Sequence, residues 1–144
     1  MVTFRRMEEK DVETVSRIEE ETFSKPWSPA SFFEMLKSGN TFYIVAEEDG
    51  EILGSCGVLQ VLDEGNITNV VVKKESRGRG IGTAMLKVLL EEGNKQGISA
   101  YTLEVRVSNS PAIHVYEKLG FVSEGIRKNF YEKPREDANI MWKR

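Results

Sequence analysis

The chain contains 144 residues, of which 40% are hydrophobic and 30% are charged, with a formal net charge of −3 at pH 7. This balance is typical of one soluble globular domain over residues 1–144, and it argues against a general nucleic-acid or membrane-surface binder, because phosphate surfaces attract a basic surplus. The one cysteine, Cys56, excludes an intrachain disulfide and a cysteine-rich metal site, so no metal is expected.

The sequence also indicates where the protein resides. Its longest apolar stretches fall well short of the roughly 18 residues that a membrane span needs. The first residues lack the long apolar core of a signal peptide. A cytoplasmic protein that binds neither membrane nor nucleic acid is therefore expected.

Hydrophobic periodicity and turn residues predict strands and helices in the order β-α-α-β-β-β-α-β-α-β-β. The predicted strands are Thr3–Arg5, Phe42–Ala46, Ile52–Val61, Ile67–Val72, Tyr101–Val107, Phe121–Arg127 and Asn139–Trp142. The predicted helices begin at Asp11, Ser28, Ile81 and Pro111. This order implies an α/β fold, a mixed sheet with helices on both faces.

Local signals fix several of these elements. The apolar periodicity of the first helix places Glu19–Glu21 outward. Ser28-Pro29 is typical of a helix start, with a capping hydroxyl followed by proline at the first helical position. Asp49-Gly50 predicts a hairpin turn. Gly54 and Gly57, inside the second long β run, predict a bulge or a close backbone approach.

The segment Arg77–Thr83 is the most informative part of the chain, because three alternating glycines stand at the start of a predicted helix. Glycine allows sharp turns and close approach of the backbone, and the unpaired N–H groups of a helix's first turn attract phosphate. Arg77 and Arg79 flank this turn and could neutralise a diphosphate. The alternative is a glycine turn without a ligand, flanked by solvated arginines. The Gly-Lys-Ser/Thr of a Walker loop is absent, and the spacing does not fit a dinucleotide fingerprint.

The glycine turn, Arg77-Gly78-Arg79-Gly80-Ile81-Gly82, resembles a known signature. It is similar to Q/R-x-x-G-x-G/A, the acyl-CoA-binding signature of the GNAT acetyltransferases. The likeness covers essentially the whole chain and is closest to a branch that acetylates the N-terminal alanine of a ribosomal protein. The other segments that carry it are Pro26–Ser28, Leu103–Asn109, Ala112-Ile113, Tyr116–Phe121, Arg127–Tyr131 and Arg135–Ala138. The resemblance implies a GNAT fold, with a sheet that splays in the middle.

The resemblance also implies acetyl-CoA as cosubstrate, with its pyrophosphate on the glycine turn and its pantetheine arm along a strand edge. The implied cofactor-binding residues are Val70, Val71, Val72, Arg77, Gly78, Arg79, Gly80, Ile81, Gly82, Thr83, Asn109 and Tyr116. A backbone N–H near Val72 would polarise the thioester carbonyl. For Asn109 the alternative is a local role in the turn before its helix.

Glu104 is the candidate general base. Alternation along its strand places Tyr101, Leu103, Val105 and Val107 on one face and Glu104 on the other. A carboxylate in a central strand is unfavourable unless it is paired or functional. The resemblance implies a catalytic role, and the alternative is a salt bridge on a solvated sheet face.

Tyr116 is the candidate general acid. The departing thiol should resemble cysteine, with a pKa of about 8.5, whereas a phenol has a pKa of about 10. Tyr116 therefore needs only to share its proton as charge develops on sulfur. Its alternative is a core tyrosine, because it lies at helical spacing from Ile113 and Leu119.

Two other residue types invite chemistry but fit structural roles better. His114 lies two residues from Tyr116 and so points away from the same helical face, which favours a surface role. Cys56 has no histidine near it in sequence, which favours a packed thiol over an acyl-enzyme nucleophile.

The acceptor groove is the remaining part of the predicted site. The resemblance implies that Trp27, Asn129 and Tyr131 frame a peptide N-terminus, and the alternative for them is loop anchoring. Direct attack by the amine in a ternary complex is expected, in a monomer or weak dimer. The alternatives are a GNAT enzyme for a lysine side chain or small amine, and a non-catalytic acyl-CoA-binding sensor.

Overall fold

The computed structural model describes residues 1–23 and 26–144. In that part of the chain the strands are β1 (Thr3–Arg6), β2 (Thr41–Glu48), β3 (Glu51–Val61), β4 (Glu64–Val72), β5 (Ala100–Arg106), β6 (Val122–Glu132) and β7 (Arg135–Lys143). The helices are α1 (Val12–Thr22), α2 (Pro29–Lys37), α3 (Ile81–Lys95) and α4 (Ser110–Lys118). Short 3-10 turns cover Glu9–Asp11 and Lys74–Ser76.

The strands form one mixed sheet in the order β1-β2-β3-β4-β5-β7-β6. Neighbours are antiparallel except β4 and β5, which run parallel and pair only over Glu64–Asn66 and Ala100–Thr102. Beyond this short ladder the two strands separate, so the second half of β4 has no strand on its β5 side. This confirms the splayed sheet that the family resemblance implied.

Helices cover both faces of the sheet, as the sequence predicts. One core cluster lies under α3 and α4 and includes Ile44, Cys56, Met85, Leu89, Leu103 and Tyr116. The other lies under α1 and α2 and includes Val12, Val15, Phe32, Tyr43, Val45 and Val71.

Several local predictions are confirmed in detail. The Ser28 Oγ accepts a hydrogen bond from the Ser31 backbone N–H at 3.2 Å, with proline in the first turn of α2. Asp49 and Gly50 adopt positive φ angles of 52° and 81°, the conformation of a two-residue hairpin turn.

The two glycines inside β3 also do what their positions predict. An added Cβ at Gly54 would lie 2.6 Å from the Val71 carbonyl oxygen. At Gly57 an added Cβ would overlap the Tyr43 ring. Both positions therefore require glycine because neighbouring atoms approach the backbone closely.

The last two strands are longer than predicted and form one hairpin. β6 continues to Glu132 and β7 begins at Arg135, whereas the sequence analysis ended the first strand at Arg127 and began the second at Asn139. The register shifts between Arg127 and Tyr131, so a bulge absorbs the extra residues. β6 is almost wholly exposed and mostly polar, which removes the alternation that reveals a strand.

Two side-chain orientations were predicted wrongly. Glu19 was expected to point outward, but it is fully buried. Val107 was expected to continue the apolar face of its strand, but β5 ends at Arg106 and Val107 is 41% exposed.

Among the residues that the structure describes, none of the helices combines the length and apolar character needed to cross a membrane. Over the same residues, no three histidine, cysteine, aspartate or glutamate side chains gather into a group able to hold a metal ion.

Candidate active site

The glycine turn ends in the N-cap of α3. Gly78 and Gly80 have φ angles of +82° and +77°, and a Cβ at either would meet nothing within 4 Å. These two glycines are needed for their left-handed backbone rather than for space. Gly82 differs, because its φ is not positive and a Cβ there would make only an ordinary contact, 3.7 Å from Val72 Cγ2.

The first turn of α3 presents backbone donors. Ala84 N–H donates to the Gly80 carbonyl at 3.1 Å, but the N–H groups of Ile81–Thr83 find no backbone acceptor within residues 1–23 and 26–144. Unpaired donors at a helix N-terminus, together with the helix dipole, favour an anion. The side chain of Ile81 is buried, so only its N–H faces outward.

The two arginines of the turn contact the protein itself. Arg77 Nε donates to the Val72 carbonyl at 3.0 Å. Arg79 donates to both carboxylate oxygens of Glu48, at 3.1 and 3.0 Å, at the surface. Exposed ion pairs contribute only about 0–1 kcal/mol, so this pair opens readily toward a more highly charged ligand.

The open edge of β4 leads away from this turn. Lys73 N–H donates to the Leu53 carbonyl of β3 at 2.7 Å. Because peptide groups alternate in direction along a strand, those of Val72 point away from β3 and toward the gap between β4 and β5. Val70 and Val72 are half-buried on the α3 face, and Val71 is buried on the α1 face.

A bulge interrupts β4 beside this edge. Asn69 and Val70 lie opposite the single residue Cys56 of β3, and Asn69 has a φ of +55°. The Asn69 side-chain amide donates to both carboxylate oxygens of the buried Glu19, at 3.1 and 3.0 Å. The backbone N–H of Trp27 donates to the same carboxylate at 3.2 Å. Sequence reasoning missed both Glu19 and Asn69.

Glu104 lies on the other wall of the gap. The burial of β5 alternates as predicted, with Leu103 and Val105 buried and Glu104 half-buried on the opposite face. Its carboxylate forms no hydrogen bond or ion pair with any described residue. A salt bridge, the alternative considered from sequence, is therefore not formed within the described residues.

Tyr116 projects from α4 into the region between Cys56 and the β6–β7 hairpin. It is 7% exposed, and its ring packs edge-on against Phe121 at 5.9 Å. Burial raises the pKa of its phenol, and Cys56 and Tyr131 raise it further. The hydroxyl forms no hydrogen bond with the described residues, so Tyr116 is a core residue with a proton free to donate.

Tyr131 joins Glu104 and Tyr116 in this region. Burial raises the pKa of Tyr131 most, the nearby Arg106 lowers it and the Glu104 carboxylate raises it. The structure therefore brings the predicted base, the predicted acid and one predicted acceptor residue into the same region, although Glu104 and Tyr131 are 27 positions apart along the chain.

Arg106 fixes the tip of the hairpin that carries Tyr131. Its guanidinium lies 4.3 Å from the centre of the Tyr131 ring. It also donates to the carbonyls of Lys133 and Pro134, at 3.1 and 2.9 Å, and to the Glu136 carboxylate at 3.2 Å. Arg106 shares the face of β5 that carries Glu104, but sequence reasoning did not predict its contacts with the hairpin.

The other predicted residues have local partners. The Asn109 Oδ1 accepts from the Ala112 N–H at 3.3 Å and caps α4, which leaves its amide nitrogen available. Asn129 adopts a φ of +55° in the hairpin bulge, and its N–H donates to Asp137 at 2.9 Å. His114 is exposed, in agreement with the surface role favoured from sequence.

Trp27 and Cys56 both pack against neighbouring residues. The Trp27 ring packs against Phe32 and Tyr43, with centroids 5.4 and 6.1 Å away, and the Ser16 hydroxyl donates to its carbonyl at 3.0 Å. Cys56 is fully buried, and burial raises the pKa of its thiol, which agrees with a packed residue.

The gap between β4 and β5 therefore combines a helix start with unpaired N–H groups, an open strand edge, the half-buried carboxylate of Glu104 and, near Tyr131, the buried phenol of Tyr116. Residues 12–121 match the model of the acetyltransferase (GNAT) family. The chain belongs to this family, and it is an acetyl-CoA-dependent N-acetyltransferase.

Relatives resemble the chain over nearly its whole length. A Bacillus subtilis protein, provisionally named a [ribosomal protein bS18]-alanine N-acetyltransferase, is 40% identical over 139 residues, which cover 96% of this chain and 92% of the relative. The [ribosomal protein bS18]-alanine N-acetyltransferase of Escherichia coli strain K12 is 34% identical over 98% of this chain and 96% of the relative.

Solved structures share the fold. The crystal structure of the ribosomal-protein-S18-alanine N-acetyltransferase from Escherichia coli superposes with a TM-score of 0.90 at 33% identity, covering 99% of this chain and 93% of that one. Ard1 from Thermoplasma volcanium gives a TM-score of 0.88 at 26% identity, covering 99% and 96% of the two chains. The α/β GNAT fold predicted from sequence is confirmed.

Proposed function

We propose that this chain acetylates the N-terminal α-amine of a protein, and that its natural acceptor is an alanine at the start of a ribosomal protein of the bS18 type. The names of the relatives from Bacillus subtilis and Escherichia coli support this acceptor. The observation that carries the proposal is the Glu104 carboxylate, half-buried in the gap and without a partner among the described residues.

The geometry of the gap fits acetyl-CoA, which supplies an activated acetyl thioester when bound. The free N–H groups of Ile81–Thr83, reached through the turns at Gly78 and Gly80, would hold its pyrophosphate. The open edge at Val70–Val72 would pair with the amides of its pantetheine arm, as an added strand does. The free amide nitrogen of Asn109 would donate to the same arm.

Glu104 would take a proton from the acceptor amine. An α-ammonium has a pKa of about 7.7–8.0, whereas that of lysine is about 10.4. The difference of roughly 2.5 units corresponds to about 3.5 kcal/mol of additional deprotonation for lysine near neutral pH. A single carboxylate, acting directly or through one water, suffices to deprotonate an α-ammonium. A site with one candidate general base therefore favours an α-amine as acceptor.

Tyr116 would act on the leaving group, the thiolate of CoA. Its raised pKa keeps the phenol protonated across the physiological range. The O–H would donate toward the sulfur as negative charge develops there, which stabilises the departing thiolate. No other described residue is needed to carry a proton at this position.

The acceptor peptide would lie between the α1–α2 loop and the β6–β7 hairpin. Trp27 would form part of the first wall, and Asn129 and Tyr131 would form part of the second. The guanidinium of Arg106 lies over the Tyr131 ring, which supports a fixed position for the second wall.

Intact-mass analysis of short peptides tests this proposal. One peptide carries a free N-terminal alanine and no lysine, and its matched control carries a blocked N-terminus and one internal lysine. We expect one acetyl group on the first and none on the second. Acetylation of only the second, or only of small amines, would refute the α-amine acceptor. Binding of CoA without product on any amine would indicate a sensor module.

A further inference from the structure

We propose that Glu19 is a positioning residue for acetyl transfer. Its carboxylate holds the β4 bulge at a fixed position relative to the α1–α2 loop. This inference rests on the proposed function, because it assigns Glu19 to the reaction of the same gap. It concerns a residue that touches neither the acceptor nor the proposed proton-transfer groups.

The geometry around Glu19 motivates the proposal. The side chain is fully buried in α1, and its carboxylate accepts two contacts from the Asn69 amide and one from the Trp27 backbone N–H. Glu19 therefore joins three segments that are distant in sequence: α1, the α1–α2 loop and β4. β4 forms one border of the gap, and the α1–α2 loop carries Trp27, a proposed acceptor residue.

A buried carboxylate without a cation is unusual. Charged groups are rarely buried unless they are paired, because burial removes their hydration. Glu19 forms no ion pair with any residue of 1–23 or 26–144, and its recorded partners are neutral donors. Burial raises the pKa of Glu19, while the bonds from Asn69 and Trp27 lower it. A packed apolar residue would stabilise the fold at least as well as this carboxylate does. Positioning of the β4 bulge and the α1–α2 loop therefore explains the carboxylate better than a contribution to stability does.

Asn69 is the place where this geometry matters. A non-glycine residue at positive φ is strained, although asparagine tolerates it better than most residues. The bulge that Asn69 opens resets which peptide groups of β4 point into the gap. The Asn69 amide donates to both carboxylate oxygens of Glu19. Glu19 therefore holds the side chain of the residue whose backbone forms the bulge.

The test compares three variants by steady-state kinetics with the alanine peptide. Glu19→Ala removes every contact, Glu19→Gln keeps the shape and part of the hydrogen bonding, and Asn69→Gly keeps the positive φ but removes the tether. We expect kcat to fall on the order of 10²-fold in Glu19→Ala and Asn69→Gly, as for a small misplacement of reacting groups. The KM for acetyl-CoA should stay unchanged, and Glu19→Gln should recover part of the loss.

A double variant, Glu19→Ala with Asn69→Gly, should be no slower than either single variant, since both remove one shared link. Two matched controls separate geometry from stability. Asp11→Ala removes another buried carboxylate near the start of α1, bound to Arg5 at 2.8 and 2.9 Å, and should lower the melting temperature without changing kcat. Ser16→Ala frees only the Trp27 carbonyl and should raise the KM for the peptide alone.

A readout without turnover completes the test. In nitrogen-15 NMR spectra of the free protein, Glu19→Ala should shift the amide resonances of Asn69–Val71, whereas Asp11→Ala should leave them in place. Unchanged resonances together with unchanged kcat would overturn the proposal, as would additive losses in the double variant. If the wild-type protein acetylates no α-amine, the proposed function fails, whereas the resonance shifts still show whether Glu19 sets the conformation of the β4 bulge.

Discussion

Replacing Gly82 by alanine separates the stability of the fold from the capacity of the glycine turn to bind a ligand. The position lies in the first turn of α3 and has no positive φ, and the new methyl group would meet only Val72 Cγ2, at 3.7 Å. Alanine in a helix is more favourable than glycine by roughly 0.5–1 kcal/mol. For a chain of this size the melting temperature should therefore rise by about 2–4 °C.

The affinity for CoA should stay close to that of the wild-type protein. The acyl-CoA signature that this turn resembles admits glycine or alanine at this position, and the methyl group makes only an ordinary contact with Val72. By contrast, a change that displaces a phosphate from one of the N–H groups of Ile81–Thr83 loses a hydrogen bond to a charged group, which contributes about 1.5–3 kcal/mol and corresponds to a roughly ten- to 150-fold weaker Kd.

Calorimetric titration with CoA and thermal unfolding without ligand measure the two effects on the same Gly82→Ala sample. Gly80→Ala is the control: its φ of +77° makes alanine strained, so this variant should lose both stability and affinity. If Gly80→Ala binds CoA as tightly as the wild-type protein does, the glycine turn does not hold the pyrophosphate and the reasoning is wrong.

Three further predictions follow from individual side chains. Glu104→Gln should lower kcat by about 10²–10⁴-fold with unchanged CoA affinity, and a pH–rate profile should show the largest loss below the pKa of the amine. Tyr116→Phe should slow turnover of the bound complex while leaving the melting temperature nearly unchanged, because the hydroxyl has no hydrogen-bond partner among the described residues. Burial alone would raise the pKa of Asp11, but the Arg5 guanidinium and the Glu8 N–H hold it below its ordinary value. Its contribution to the free energy of unfolding is therefore present above about pH 4 and lost as the pH falls further, and urea titrations of Asp11→Asn should show a flatter acid limb.

The parts of the site that could be predicted from sequence are those that depend on neighbouring residues. Alternation along one strand suffices to turn Glu104 away from Leu103 and Val105, and three spaced glycines suffice to predict an exposed helix start. The identity of the cosubstrate came from the family resemblance, because a glycine turn alone fits many phosphates.

The burial of Glu19 had a signal that the interpretation overlooked. Glu19 lies seven residues after Val12 and four after Val15, so helical spacing places it on the buried face. Its charge suggested a solvent-exposed position, and only its hydrogen-bond partner explains why the protein tolerates a carboxylate in the interior. That partner, Asn69, is 50 residues away, and no local pattern reveals such a contact.

The hairpin of β6 and β7 was underestimated for a different reason. Its bulge between Arg127 and Tyr131 breaks the period of two, and its exposed residues remove the contrast between faces. What fixes the hairpin is Arg106, whose contacts with Tyr131 and the turn carbonyls depend on the fold as a whole.

The splayed sheet connects these observations to function. Because β4 leaves β5 after Asn66, the second half of β4 keeps peptide groups that no strand satisfies from the gap side. An open edge usually invites another chain, but here the first half of β4 is paired with β5, so only its second half is open to an extended ligand. A ligand that pairs with this edge completes the sheet, so it stabilises the folded state by RT ln(1 + [L]/Kd). Unfolding of the two halves of the sheet should therefore become more cooperative when CoA is bound, and hydrogen exchange in the second half of β4 should slow more than in β2.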